Sequence, residues 1–253
     1  MSIIKNSVQK IVNIFGYSLN KNSKDRRISL PKDILLNNFY ENIIKSGFQA
    51  HTIVDIGANK GFWTRNAMQF FPTARFLMIE PQINLNTHMG DLVQNSSIKL
   101  LNLGVGNQNG VLKFTIHKRD DSCSFAYSEE EAKKLGLEQV KIPIKTLNTI
   151  LKENNFPIPD LVKIDAEGLD YEVIEGASDI LGKTEVFLVE ASVNRDQYKN
   201  TLLKMIQLFD IYGYKLFEIT DINREKEHYT LSLVELVFIL KQGTIDRFYI
   251  DSN

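Results

Sequence analysis

Residues 53–80, IVDIGANKGFWTRNAMQFFPTARFLMIE, constrain the fold more than any other stretch of the 253-residue chain. Ile53, Val54 and Ile56 are β-branched and run without alternation, as in a strand buried on both faces of a parallel sheet, and Gly57 follows at once. Asn59 stands where a helix N-cap is expected, the following residues read as a helix of mixed faces, and Pro72 stops it. Residues 75–80 then form a second apolar strand that ends in the carboxylate of Glu80. The unit is βαβ, and units of this kind build open α/β sheets that bind ligands beyond the carboxyl ends of their strands.

Gly57 and Gly61 let the backbone turn sharply and let a ligand approach where a Cβ would clash, and the free N–H groups of the new helix face an anion. The spacing G-A-N-K-G puts Asn59 where a dinucleotide fingerprint needs its second glycine, which disfavours NAD. Glu80 follows Gly61 by 80 − 61 = 19 positions, against roughly 20 for an acid that holds a ribose diol. Asp55, one residue from the strand end, suits a ligand with a cation beside its anion, as in an amino acid. S-adenosylmethionine carries both an amino-acid end and a ribose end. The plainer reading makes Asp55 a cap on the turn and Glu80 a solvated acid.

The length allows a full core in one domain, residues 49–253, with an insertion at 104–145 and an N-terminal helical extension at 1–48. A net charge of −1 leaves no excess of positive charge to draw the chain onto nucleic acid. The single cysteine, Cys123, excludes an internal disulfide and fits a reducing, cytoplasmic compartment. No stretch reads as a transmembrane span. Ile4, Val8, Ile11, Val12 and Phe15 recur at helical spacing, broken by lysine and asparagine, so the segment is not a secretion signal. It is expected to fold against its own domain, with a membrane surface or a homodimer contact as alternatives. Residues 21–27 read as a solvated linker and 32–46 as a helix closed by Gly47.

Beyond Glu80 the rhythm continues, with a helix at 84–95 and a strand at 98–103. Residues 111–117 alternate as a half-exposed strand whose companion is 140–144, enclosing a polar loop and short helix. This insertion is expected either near the mouth of the site or as an ordinary surface hairpin. Helix 146–154, strand 161–164, helix 169–181, strand 186–189 and helix 198–212 follow. Asp165 and Glu190 each end a buried run and so should emerge beside Asp55 and Glu80. Two last strands, 214–219 and 234–240, lack a crossover helix and should pair antiparallel.

LVKIDAEGLDYEVIEGA at 161–177, taken with VDIGANKGFWT, IEP at 79–81, VKIPIKTLNTIL at 140–151 and VFLVEAS at 186–192, resembles the FkbM-type family of S-adenosylmethionine-dependent methyltransferases. The likeness runs from about residue 50 to about residue 195, with five motifs in order. It implies an α/β, Rossmann-like class I methyltransferase sheet of about seven mainly parallel strands with an antiparallel last strand, helices on both faces and N-terminal helices added. It also implies that Asp55, Gly57, Ala58, Asn59 and Gly61 form the cofactor loop, with Phe62, Trp63 and Thr64 opening its helix. Glu80 would bind the ribose hydroxyls, and Asp165 would lie beside the methionine part. Members typically methylate hydroxyl oxygens of sugars or polyketide-like metabolites, so a small-molecule or glycan acceptor is expected, with S-adenosylhomocysteine as product. Ala166 and Leu169-Asp170 depart from the usual pattern and leave the substrate open.

A hydroxyl acceptor must lose its proton, and Asp165, Glu167 and Glu190 are the candidate bases, because crowded acids raise one another's pKa. Glu167 reads equally as a helix-start acid favoured by the dipole. Asp165 and Glu190 as Mg²⁺ ligands form an alternative, but no third ligand declares itself, and no metal is predicted. Among the histidines only His117, on the inserted hairpin, is placed to reach an acceptor. Cys123 reads as a loop residue, and Trp63 as helix packing. A nicotinamide-dependent oxidoreductase and a non-catalytic assembly module remain the competing classes.

Overall fold

The computed structural model describes residues 33–194, 198–225 and 227–251. The expectations for residues 4–15 and 21–27 lie outside them. Strands in chain order are β1 (Thr52–Ile56), β2 (Arg75–Ile79), β3 (Ile98–Leu101), β4 (Gly104–Val105), β5 (Gly110–Ile116), β6 (Glu138–Lys145), β7 (Leu161–Ile164), β8 (Val186–Ser192), β9 (Tyr214–Arg224) and β10 (Leu231–Leu240). Seven of them form one sheet in the order β3-β2-β1-β7-β8-β10-β9. The first five are mutually parallel, and β10 runs antiparallel to both β8 and β9. This is the mainly parallel sheet with a reversed last strand that the motifs imply.

Every residue of β1 and β7 is buried, because helices cover both faces of the sheet. One face receives α5 (Leu147–Glu153), α6 (Asp170–Glu175) and α7 (Leu202–Ile211) through Leu147, Ile150, Val173, Ile174, Met205 and Phe209. The other receives α1 (Ile34–Lys45), α2 (Phe62–Phe70) and α8 (Thr244–Asp251) through Phe39, Tyr40, Ile43, Ala67 and Ile245. Between β2 and β3 the expected single helix at 84–95 is a 3-10 turn, Ile83–Met89, followed by the short α3 (Gly90–Val93). The helix expected at 169–181 ends at Glu175, and the chain continues in turns to β8.

Two details correct the reading of the first turn. Asn59 is not the helix cap; it takes a left-handed φ of 47°, and α2 starts after Gly61, whose φ is 75°. A Cβ on Gly61 would lie 2.4 Å from Leu92 Cδ1, so glycine also lets α3 close over the turn.

The insertion forms a separate three-stranded sheet, order β4-β6-β5. β5 and β6 pair antiparallel, with Val111 opposite Pro143 and Phe114 opposite Val140. Between them α4 (Glu129–Lys134) opens on a capping box from Ser128 to Glu131.

At the far end of the large sheet, Phe209 stacks on Phe238 with ring centroids 4.1 Å apart and also meets Phe187 and Tyr214. Phe209→Ala is expected to lower unfolding stability by about 3–5 kcal/mol, the usual cost of an aromatic cavity in a packed core. Urea denaturation followed by circular dichroism measures it.

Candidate functional site

The carboxyl ends of β1, β2, β7 and β8 open onto a cavity of about 360 Å³ lined by Gly57, Asn59, Glu80, Asp165, Glu167 and Glu190, among others. At Gly57 the backbone turns with φ 75°, and a Cβ there would lie 1.8 Å from the Asp165 carbonyl oxygen. The tips of β1 and β7 therefore meet at a distance that only glycine permits.

The N–H groups of Gly57 and Ala58 donate to the Ile79 carbonyl, that of Lys60 to Asn59 Oδ1, and that of Gly61 to the Ala58 carbonyl. Asn59 N–H donates to Glu80 Oε2 at 2.7 Å. Each donor from 57 to 61 is thus engaged within the protein. The turn offers no ring of donors to a pyrophosphate. Glu80 is only 3% exposed, and its other oxygen, Oε1, accepts Gln82 N–H at 2.8 Å. Burial pushes its carboxyl above the usual range, while the Gln82 and Asn59 donors pull it back. Two backbone donors fix this carboxylate and leave its remaining lone pairs for a ligand's hydroxyls.

Lys163, the third residue of a short apolar strand, escaped the sequence reading. It is the register partner of Asp55 across β1 and β7. Its Nζ lies 3.1 Å from Asp165 Oδ2, 3.2 Å from the Gly57 carbonyl oxygen and 3.7 Å from Asp55 Oδ1. Burial opposes its charge most strongly, yet Asp165, Asp55 and Glu235 together hold the ammonium above its usual range. Asp55 itself is fully buried and accepts Thr64 Oγ1 at 2.6 Å. Burial raises its carboxyl against the pull of Lys163 and Thr64. Asp55 and Thr64 thus brace the turn from beneath and do not line the cavity.

The other end of the cavity is acidic. Burial, then Asp165, raise the carboxyls of both Glu167 and Glu190; each also meets a further acid, Glu190 for Glu167 and Asp170 for Glu190. Glu167 is not a helix-start residue: its φ is 51°, and α6 begins at Asp170. Asp170, one of the three residues that depart from the family pattern, accepts Ala166 N–H at 2.7 Å and an Asn200 Nδ2–H at 3.0 Å. Burial and Asp165 push it up to about 6. Glu235 sits opposite Glu190 across β8 and β10, accepts Thr220 Oγ1 at 2.6 Å, and is pushed up to about 7 by burial.

The insertion reaches this cavity, and Phe114, Arg119 and Phe125 line it. Lys60 Nζ pairs with Asp120 Oδ2 at 2.5 Å, and Gln82 Nε2 donates to the Asp120 carbonyl at 3.1 Å. Other expected residues stand apart. Ala58 and Gly61 shape the turn, Phe62 is 62% exposed, and Trp63 packs against Tyr40 of α1. His117 faces a second groove, of about 570 Å³, with His88. Cys123 is buried in the loop, where its Sγ accepts His117 N–H and burial raises the thiol. Among the described residues no group of three or more His, Cys, Asp or Glu is arranged to hold a metal ion, and no helix is long and apolar enough to cross a membrane.

Lys163→Met leaves Asp55 and Asp165 without their counter-ion and is expected to cost about 3–5 kcal/mol in denaturant unfolding; an unchanged midpoint would overturn this account. Glu235 adds a pH effect. The unfolded chain loses this proton near the ordinary glutamate value, while the folded chain holds it up to about 7. The folded state binds more protons in that window, so stability falls as pH rises through it. Glu235→Gln removes the fall, so its melting temperature should gain on wild type between about pH 5 and about pH 8.

The chain matches the methyltransferase FkbM domain over residues 55–216. It is 27% identical over 158 residues to methyltransferase sdnD of Sordaria araneosa, covering 50% of this chain and 60% of that one. It is 24% identical over 150 residues to methyltransferase 1 of Beauveria bassiana (strain ARSEF 2860), covering 50% and 58%. The chain therefore spans about three fifths of the length of these curated relatives. Similar solved structures include the B. subtilis tRNA methyltransferase TrmK, with TM-score 0.46, 14% identity, and coverage of 87% of this chain and 70% of that one. Precorrin-6y C5,15-methyltransferase from Geobacter metallireducens GS-15 gives 0.45, 15%, 83% and 90%. Likenesses this distant add nothing to the geometry. The family match covers well over half of the sequence, and with it the chain belongs to the FkbM methyltransferase domain family.

Proposed function

We propose that this chain is an S-adenosylmethionine-dependent methyltransferase acting on a hydroxyl oxygen of a sugar, glycan or small metabolite. The observation that carries the reading is the division of one cavity: a fixed, hydroxyl-accepting carboxylate, Glu80, lines it along with the acids Asp165, Glu167 and Glu190. Its volume suits a ligand of nucleoside size, since small-molecule pockets run from roughly 300 to 1,000 Å³. Glu80 would hold the ribose, and the turn at Gly57 with the tip of β7 at Asp165 would hold the amino-acid part. The engaged N–H groups at 57–61 count against a nicotinamide dinucleotide.

When bound, S-adenosylmethionine supplies a methyl group already activated by its sulfonium. What remains for the chain is to position the acceptor and take its proton. Asp165 is tied to the Lys163 ammonium. Among the described residues, Glu167 and Glu190 line the same cavity without an ion pair, and burial with neighbouring acids raises both carboxyls, which makes each a stronger base once it has lost its proton. We assign the base to Glu167, with Glu190 as the neighbour that tunes it.

Thermal melts test the cofactor. S-adenosylhomocysteine should raise the melting temperature by mass action and NADH should not; Glu80→Ala should abolish the rise. Incubation with methyl-labelled S-adenosylmethionine and glycan or metabolite pools should then reveal an acceptor heavier by one methyl, and a cofactor-binding assembly module would give none. Turnover on that acceptor should increase with pH until the acid pair has lost its proton. Glu190→Gln removes a charge that raises Glu167, so this limb should move to lower pH.

A further inference from the structure

The proposed base sits in a conformation that its own neighbours in sequence do not explain. Glu167 has φ 51°, a left-handed value that is unfavourable for a non-glycine residue, so the surroundings must hold it. Its carbonyl oxygen accepts two hydrogen bonds, from Ser124 Oγ at 2.7 Å and from Phe125 N–H at 3.1 Å. Both donors belong to the insertion, 43 and 42 residues earlier in the chain (167 − 124 and 167 − 125).

Ser124 is itself held. It exchanges two backbone hydrogen bonds with Thr115 of β5, at 2.9 and 3.1 Å, and its Oγ accepts Ala126 N–H at 3.0 Å. The hydroxyl therefore has one proton to give, and it goes to Glu167. Phe125 is wedged by its ring, 4.5 Å from that of Phe114. The same loop is fastened at its other end, where Asp120 meets Lys60 of the first turn. Thus the segment from Asp120 to Phe125 runs from the cofactor turn to the acid turn.

We propose that Ser124 is a positioning residue: its hydroxyl, donated to the Glu167 carbonyl, fixes the acid turn and so aims the Glu167 carboxylate into the cavity. The insertion is then part of the catalytic apparatus, acting through Glu167 and not on the acceptor itself. This rests on the assignment of Glu167 as base. Removing the hydroxyl leaves the Glu167 carbonyl with one donor and Ala126 N–H with none, which frees the turn to relax from its strained φ.

The test compares wild type, Ser124→Ala, Ser124→Thr and Glu167→Gln in the full chain. Carbon-13 labelling of glutamate carboxyls, with Glu167 identified by its loss in Glu167→Gln, reads its titration with S-adenosylhomocysteine bound and needs no acceptor. In Ser124→Ala the Glu167 midpoint should fall toward that of an ordinary glutamate, and Ser124→Thr, which keeps the hydroxyl, should restore it. With the acceptor found by labelling, kcat of Ser124→Ala should drop roughly ten- to a hundredfold, the scale of a misplaced catalytic group. S-adenosylhomocysteine affinity should stay within about twofold, because Ser124 contacts none of the cofactor turn. Unchanged titration and kcat in Ser124→Ala, beside a Glu167→Gln variant that has lost turnover, would overturn the role of Ser124 and leave the base assignment standing. Full turnover in Glu167→Gln would remove the base assignment, and this inference with it.

Discussion

A single buried ammonium holds the functional edge of this sheet together. Lys163 rises from the middle of β7 into a place where it is only 5% exposed, and there it meets Asp55 from β1, Asp165 just beyond its own strand and the carbonyl of Gly57. An ion in such a place is costly unless its partners are near and well aimed. Here the partners are the two strand ends that form the ligand crevice, so the requirement to pair the charge fixes the crevice. The backbone bond from Asp165 N–H to the Ile56 carbonyl brings the tips of β1 and β7 together, and a side chain at position 57 would separate them.

This pairing also sorts the acids. Asp55 and Asp165 are compensated by Lys163, whereas Glu167 and Glu190 face each other and Asp165 with less compensation, so burial and repulsion favour their protonated forms. Glu80, on the neighbouring strand, is held by two backbone N–H groups that offset part of its burial and leave lone pairs to accept further hydrogen bonds.

The insertion closes the arrangement. It supplies Phe114 and Phe125 to the cavity wall, and its loop touches both the glycine turn after β1 and the acid turn after β7. A hairpin between the third and fourth strands of the sheet is an addition to the alternating βα plan. In this chain it is placed where it shapes the space in which the chemistry would occur.

Much of this was legible along the chain. The unalternating run before Gly57, the acid at Glu80 and the spacing between them announce a βαβ unit, because strand burial, turn chemistry and helix stopping are written in adjacent residues. The acids at Asp165 and Glu190 were legible for the same reason, as each ends an apolar run. What the sequence left open depends on residues far apart. A strand buried on both faces has no alternation, so nothing in LVKI shows that Lys163 points toward Asp55. Nothing near Glu167 shows that Ser124 holds it. Nothing in the loop shows that the N–H groups of Gly57, Ala58 and Asn59 find their acceptors, Ile79 and Glu80, on another strand. Local patterns set which elements form and where their acids emerge; charge state, hydrogen-bond saturation and access to the cavity depend on distances of a few ångströms between segments, which packing alone decides.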